Sequence, residues 1–151
     1  MELPSHQFKS LNMKKRVPIS TIMTKNVVTL STNDDLVTAE ALFKKHNIRH
    51  IPVTQGNEVL GMISYTDLMR ISFADAIDAD EESVDTMVYN MFTIAQVMVK
   101  DVICVSPRAT VQEVAAFLAQ KEFHALPVVE DDTLVGIVTT TDLINYLLAQ
   151  Y

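Results

Sequence analysis

Cysteine occurs once in these 151 residues and glycine three times. The lone thiol, Cys104, cannot form an internal disulfide, and a reducing cytoplasm suits it. Its neighbours Val102, Ile103 and Val105 suggest a buried strand. A small core residue is therefore expected there rather than a nucleophile. No uninterrupted apolar run approaches the roughly 20 residues needed to cross a bilayer, so no membrane insertion is expected. The opening Met1-Glu2-Leu3-Pro4-Ser5-His6-Gln7 lacks the basic-then-apolar order of a secretory signal. Basic residues are also scarce, with 12 Lys and Arg against 19 Asp and Glu and a net charge of −7. That balance argues against a nucleic-acid binder, which needs positive surface to displace counterions. The single basic run, Lys14-Lys15-Arg16, reads as a solvated lead-in.

Apolar residues make up 48% of the chain, enough for a well-buried core. The dominant positive feature is a duplication. Gly61-Met62-Ile63-Ser64-Tyr65-Thr66-Asp67 returns as Gly136-Ile137-Val138-Thr139-Thr140-Thr141-Asp142. One offset of 75 residues lays Ile19–Leu68 on Ile94–Leu143 without a gap.

Each copy carries the same order of signals. In the first, Val27-Val28-Thr29-Leu30 reads as a short β-branched strand. Ser31-Thr32-Asn33-Asp34-Asp35 then supplies helix caps, and Leu36, Ala39, Leu42 and Phe43 recur at helical spacing to about His46. Ile51-Pro52-Val53 is a second strand, with proline tolerated near its start or at an edge. A turn over residues 55–58 leads to a third strand, Val59–Ser64, and a helix follows from Thr66. In the second copy the strands are Val102–Val105, Leu126–Val129 and Leu134–Thr139. Its helices carry Val111, Val114, Ala115 and Leu118, then Leu143, Ile144, Leu147 and Leu148. The fold class is α/β (α+β), built from two strand-helix-strand-strand-helix repeats. One such unit is near the lower limit for an independent core, so the two are expected to bury their faces together about an approximate twofold axis. The divisions are a tail over 1–16, repeats over 17–71 and 94–151, and between them a connector over 72–93. Asp75, Asp78, Asp80, Glu81, Glu82 and Asp85 crowd into that connector, which lacks the pattern of a calcium-binding loop.

Gly61 and Gly136 open the two motifs, and glycine inside a strand marks close approach by a backbone or a ligand. The hydroxyls and carboxylate that follow fall where a strand passes into a helix, whose N-terminus favours anions. Ser64-x-x-Asp67 and Thr139-x-x-Asp142 also resemble capping boxes with Asp in place of Glu or Gln. Capping and ligand contact both remain open on this local pattern.

The company these motifs keep is more specific. Residues 22–28, His46-Asn47-Ile48-Arg49-His50-Ile51-Pro52-Val53 and Gly61–Asp67 resemble the three signature blocks of a CBS domain. Residues 97–103, Glu122-Phe123-His124-Ala125-Leu126-Pro127-Val128-Val129 and Gly136–Asp142 repeat them in the same order. The resemblance covers Val17 to about Leu148 and is that of a tandem pair, or Bateman module.

That resemblance implies a compact pair with pseudo-twofold symmetry that dimerises and binds adenosine-containing ligands in clefts between its repeats. It assigns ribose contacts to Asp67 and Asp142, and ribose or phosphate contacts to Ser64, Thr66, Thr139 and Thr141. Val27, Val28, Val102 and Ile103 match positions that flank adenine. Arg49 and His124 match a phosphate-contacting position, and His50 stands beside the first. The expected ligand is AMP, ADP or ATP, with S-adenosylmethionine less favoured, and the expected partner is a regulated protein of unstated identity. Ala125 replaces His50 in the second copy, which makes the two sites unequal. The main alternative is a ligand-free structural or dimerisation module. No Ser/His/Asp arrangement, metal-ligand spacing or reactive cysteine stands outside these blocks, so no enzyme is expected and no catalytic cofactor is required.

Overall fold

The computed structural model describes residues 16–74 and 89–151. Lys14, Lys15 and the six connector carboxylates lie outside the described residues. The chain divides into two compact units, Val27–Val102 and Ile103–Tyr151 joined by the segment up to Asn26. The units cut across the sequence repeats. Each takes the body of one repeat and the lead-in segment of the other.

In the first unit, β1 (Leu30–Ser31) lies parallel to β2 (His50–Gln55), and β2 pairs antiparallel with β3 (Glu58–Ser64). Helix α1 (Leu36–His46) starts where the Asp35 carboxylate accepts the Thr38 N–H at 2.8 Å. It ends with Lys44, Lys45 and His46 at the negative pole of its dipole, and with Asn47 in the left-handed region (φ 52°). Leu36, Ala39 and Phe43 recur on one side of α1 and are buried, as their spacing predicts. Ile51, Pro52 and Val53 are buried in succession, so both faces of β2 are covered. Helix α2 (Tyr65–Ala74) follows β3 directly, and Tyr65 meets Phe43 edge-on with ring centroids 5.5 Å apart.

The second repeat's lead-in completes this unit. Helix α3 (Ile94–Val97) begins at a capping box of Thr93 and Gln96, and Ile94 is fully buried in the unit's core. Beyond it, Val99 and Met62 exchange backbone hydrogen bonds of 2.8 and 3.0 Å, which covers the outer edge of β3.

The second unit repeats the plan with the roles exchanged. A short 3₁₀ turn, Ile19–Thr21, carries Ile19 into the core formed by α4 (Val111–Gln120), β4 (Ala125–Glu130) and β5 (Thr133–Thr139). The Ile19 N–H donates to the Ala109 carbonyl at 2.6 Å, and Thr24 exchanges bonds of 2.8 and 2.9 Å with Ile137 on β5. Helix α5 (Thr140–Leu148) closes the unit.

Two sequence expectations need correction. The first strand of each copy is shorter than its β-branched residues suggest: β1 is only Leu30–Ser31, and in the second unit a single bridge, Val105 to Val128, remains. The proline explains the loss. Val105 donates to the Pro127 carbonyl and accepts from the Val129 N–H. The next ladder bond back would need an N–H from Pro127 to the Ile103 carbonyl, and proline has none. Pro52 stands the same way against Val28, since Leu30 is in register with Val53. It also explains how proline sits in a central strand. Pro52 faces Met62, whose own backbone groups turn to Val99, so no β2–β3 bond is lost.

Cys104, the second correction, is exposed rather than a core residue, because the shortened strand no longer carries it into the sheet. Partial desolvation still pushes its thiol up from the ordinary value, away from nucleophilic use. The apolar residues of α5 are largely uncovered. Leu143 packs on the core, but Ile144, Leu147 and Leu148 are 56%, 56% and 63% exposed.

Candidate ligand site at the strand–helix junctions

The glycine that opens each motif is required by a neighbouring methionine. A Cβ on Gly61 would lie 2.5 Å from Met98 Sδ and 2.8 Å from the Val99 carbonyl oxygen. A Cβ on Gly136 would lie 2.5 Å from Met23 Sδ and 3.1 Å from the Thr24 carbonyl oxygen. Close approach by another segment, as expected of these glycines, is what the structure contains. The lead-in of each repeat is thereby pressed against the other repeat's motif strand.

Within the first unit the backbone gathers Arg49, His50, Ser64 and Asp67. The Tyr65 N–H, at the start of α2, donates to the Arg49 carbonyl at 2.8 Å, and His50 pairs with Ser64 across β2 and β3. In the second unit the Thr140 N–H donates to the His124 carbonyl at 3.0 Å, and Ala125 pairs with Thr139. Arg49, His124, Thr66 and Thr141 are exposed, while Ser64, Asp67, Thr139 and Asp142 are half-buried. Val27, Val102 and Val28 are partly buried, the last against the first unit's core, and Ile103 is exposed. No hydrogen bond joins Val27, Val28 or Ile103 to either motif among the described residues.

The two carboxylates are engaged differently. In the second unit the capping box is closed: Asp142 Oδ2 accepts the Thr139 N–H at 2.9 Å, and Thr139 Oγ1 accepts the Asp142 N–H at 3.2 Å. Thr24, from the other repeat's lead-in, adds a 3.4 Å bond from its hydroxyl to Asp142 Oδ1. In the first unit only half the box exists. Ser64 Oγ accepts the Asp67 N–H at 3.0 Å, and the carboxylate lies 3.6 Å from Arg70 Nη1 instead. Position 99, the counterpart of Thr24, is valine and offers no hydroxyl. Asp67 thus keeps oxygen lone pairs that Asp142 has already committed.

Arg70 and Thr24 were not among the residues singled out from sequence. Comparing the copies at the 75-residue offset would have flagged both, since Arg70 faces Asn145 and Thr24 faces Val99 in the alignment. Among the described residues no group of three or more His, Cys, Asp or Glu could hold a metal ion. None of the described helices is long and apolar enough to cross a membrane.

The sequence pattern of the CBS domain matches residues 19–74 and 94–149. The chain belongs to the CBS domain family. A protein of Methanocaldococcus jannaschii is 32% identical over 131 residues, which span 86% of this chain and 42% of that protein. Against several other curated relatives the chain spans 32%, 25% and 24% of their length. Among solved structures, the CBS domain of a CBS domain containing membrane protein from Sphaerobacter thermophilus superposes with a TM-score of 0.79 at 28% identity, covering 93% of this chain and 94% of that one. The CBS domain pair of protein MJ0100, solved with 5′-methylthioadenosine and S-adenosyl-L-methionine, gives 0.73 at 24% identity, covering 89% and 98%. CBSX2, solved with AMP, gives 0.73 at 20%, covering 88% and 97%. The mixed α/β architecture with two CBS repeats is shared with these domain pairs.

Proposed function

We propose that the chain is a regulatory module that binds an adenosine nucleotide, AMP, ADP or ATP, and relays its presence to a partner protein. The observation that carries this is the Ser64–Asp67 junction. A half-buried carboxylate there, not consumed by a capping box, sits in the first turn of a helix whose opening Tyr65 N–H is bound by the backbone carbonyl of the exposed Arg49. A carboxylate accepts two adjacent ribose hydroxyls, the Ser64 and Thr66 hydroxyls suit phosphate oxygens, and a guanidinium grips phosphate in bidentate fashion. Pro52 leaves the Val28 carbonyl of the same unit without a ladder donor, which gives the polar edge of adenine a backbone group to meet. The adenosine compounds held by the MJ0100 pair and by CBSX2 support this ligand class.

Binding shifts the module's conformational population only by the ligand's difference in affinity between states, and the partner reads that shift. No reaction is assigned to the chain. A second copy of the chain fits the uncovered face of α5. From Leu143 to Tyr151 there is no charged side chain, so two chains of net charge −7 meet there without local like-charge repulsion. Sedimentation of wild type and Leu147→Glu separates dimer from monomer.

The direct test of the sensor is thermal melting with AMP, ADP, ATP, S-adenosylmethionine and GTP. A ligand at about 100 times its dissociation constant adds roughly 2.7 kcal/mol. No shift by any adenosine compound up to millimolar concentration rejects it. The closed box at Thr139 and Asp142 favours a second reading for that motif alone, a structural cap. Asp142→Ala would then lower apo stability and leave ligand shifts intact.

A further inference from the structure

We infer that Arg70 selects the ligand's charge, making the Ser64–Asp67 motif the site for phosphorylated adenosine ligands and leaving the Thr139–Asp142 motif without that selectivity. This deepens the reading above and rests on it. Arg70 lies one turn beyond Asp67 on α2, and helical side chains lean toward the N-terminus, which brings its guanidinium back over the motif. Its Nη1 stands 3.6 Å from Asp67 Oδ1, beyond hydrogen-bond length, with the arginine side chain 76% exposed. So exposed a pair is weakly held and readily exchanged for a stronger partner. A phosphate on a ribose held by Asp67 offers one, since a guanidinium and a phosphate form two parallel charge-assisted bonds. The helix dipole gives little reason for this cation. α1 places its three basic residues in its last turn, where the dipole favours them, whereas the last turn of α2 has none.

The second unit lacks each part of this device. Asn145 stands at the Arg70 position and is too short and uncharged to replace it. His124 stands at the Arg49 position. The first motif therefore has the Arg70 guanidinium 3.6 Å from its carboxylate and the second has no arginine at either matching position, in a chain whose net charge is −7.

Titration calorimetry with AMP and with phosphate-free adenosine, on wild type, Arg70→Gln and Asp67→Ala, tests this. The exposed Arg70→Gln change is expected to keep the wild-type melt without ligand. It should weaken AMP about tenfold or more and leave adenosine within twofold of wild type, whereas Asp67→Ala should weaken both. If Arg70→Gln leaves AMP within twofold of wild type, or weakens AMP and adenosine by the same factor, the inference about Arg70 is overturned while the adenosine site stands. If neither compound binds wild type, or both bind Asp67→Ala as they bind wild type, the site itself is misassigned and the inference falls with it.

Discussion

The first and second units are built on one template, yet they part at the junction where strand gives way to helix. Thr139 and Asp142 close a reciprocal capping box that Thr24 reinforces, so the second carboxylate does structural work. Ser64 caps α2, but Asp67 turns toward Arg70 and keeps acceptor capacity. The same Ser/Thr-x-x-Asp pattern can thus be a finished cap or a half cap whose carboxylate is left out of the box. Which one it becomes depends on residues outside the motif, Thr24 against Val99 and Asn145 against Arg70.

Replacement in the two cores should be the most damaging change and should not distinguish the units. Ile51→Ala and its counterpart Leu126→Ala each remove a buried side chain and are expected to cost about 2–5 kcal/mol by denaturant unfolding. Next comes the glycine contact. Gly61→Ala and Gly136→Ala should each cost about 1–3 kcal/mol through overpacking. The cost should be greater at Gly61, where the backbone oxygen is nearer. Equal and negligible losses would show that the methionines simply move aside.

The caps sharpen the contrast further. Thr139→Ala breaks a closed box and should cost about 0.5–2 kcal/mol. Asp142→Ala should follow at about 1 kcal/mol, while Asp67→Ala, losing only an exposed ion pair, should cost under about 0.5 kcal/mol. Comparable losses at Asp67 and Asp142 would erase the distinction between the motifs.

Acid should produce the smallest difference. The Thr38 backbone N–H holds the Asp35 carboxyl below its ordinary value near 3.8. Burial pushes the Glu40 carboxyl up, but the bond from Lys44, the nearby Tyr89 hydroxyl and the Lys44 charge outweigh it and hold it low as well. A depressed native value means the unfolded chain binds more protons, so this stability is present above the unfolded value and is lost as pH falls through the native one. The second unit has Thr110 and Ala115 at these positions, and neither titrates. Amide-exchange protection factors should therefore fall between pH 6 and pH 3 more in α1 than in α4.

Much of this was legible in the chain. The 75-residue offset exposed the repeat, and helical spacing placed Leu36, Ala39 and Phe43 in the core. The pairing of Met98 with Gly61 and of Met23 with Gly136 was not, because it joins residues far apart in sequence through tertiary packing. The shortened first strands had a signal that β-propensity hides: Pro52 and Pro127 lack the N–H a longer ladder would use. Cys104 was misplaced for the same reason. At the candidate site the motif residues could be read directly, but the state of each carboxylate could not, since it is set by Thr24 and Arg70.

The central claim is that Asp67 holds a ligand while Asp142 holds its helix. Calorimetric titration of AMP into Asp67→Ala and Asp142→Ala, beside wild type, tests it most directly. The account predicts that AMP binding is lost in Asp67→Ala and retained in Asp142→Ala, whose melt alone is lowered. AMP binding that survives in Asp67→Ala and disappears in a folded Asp142→Ala would contradict it.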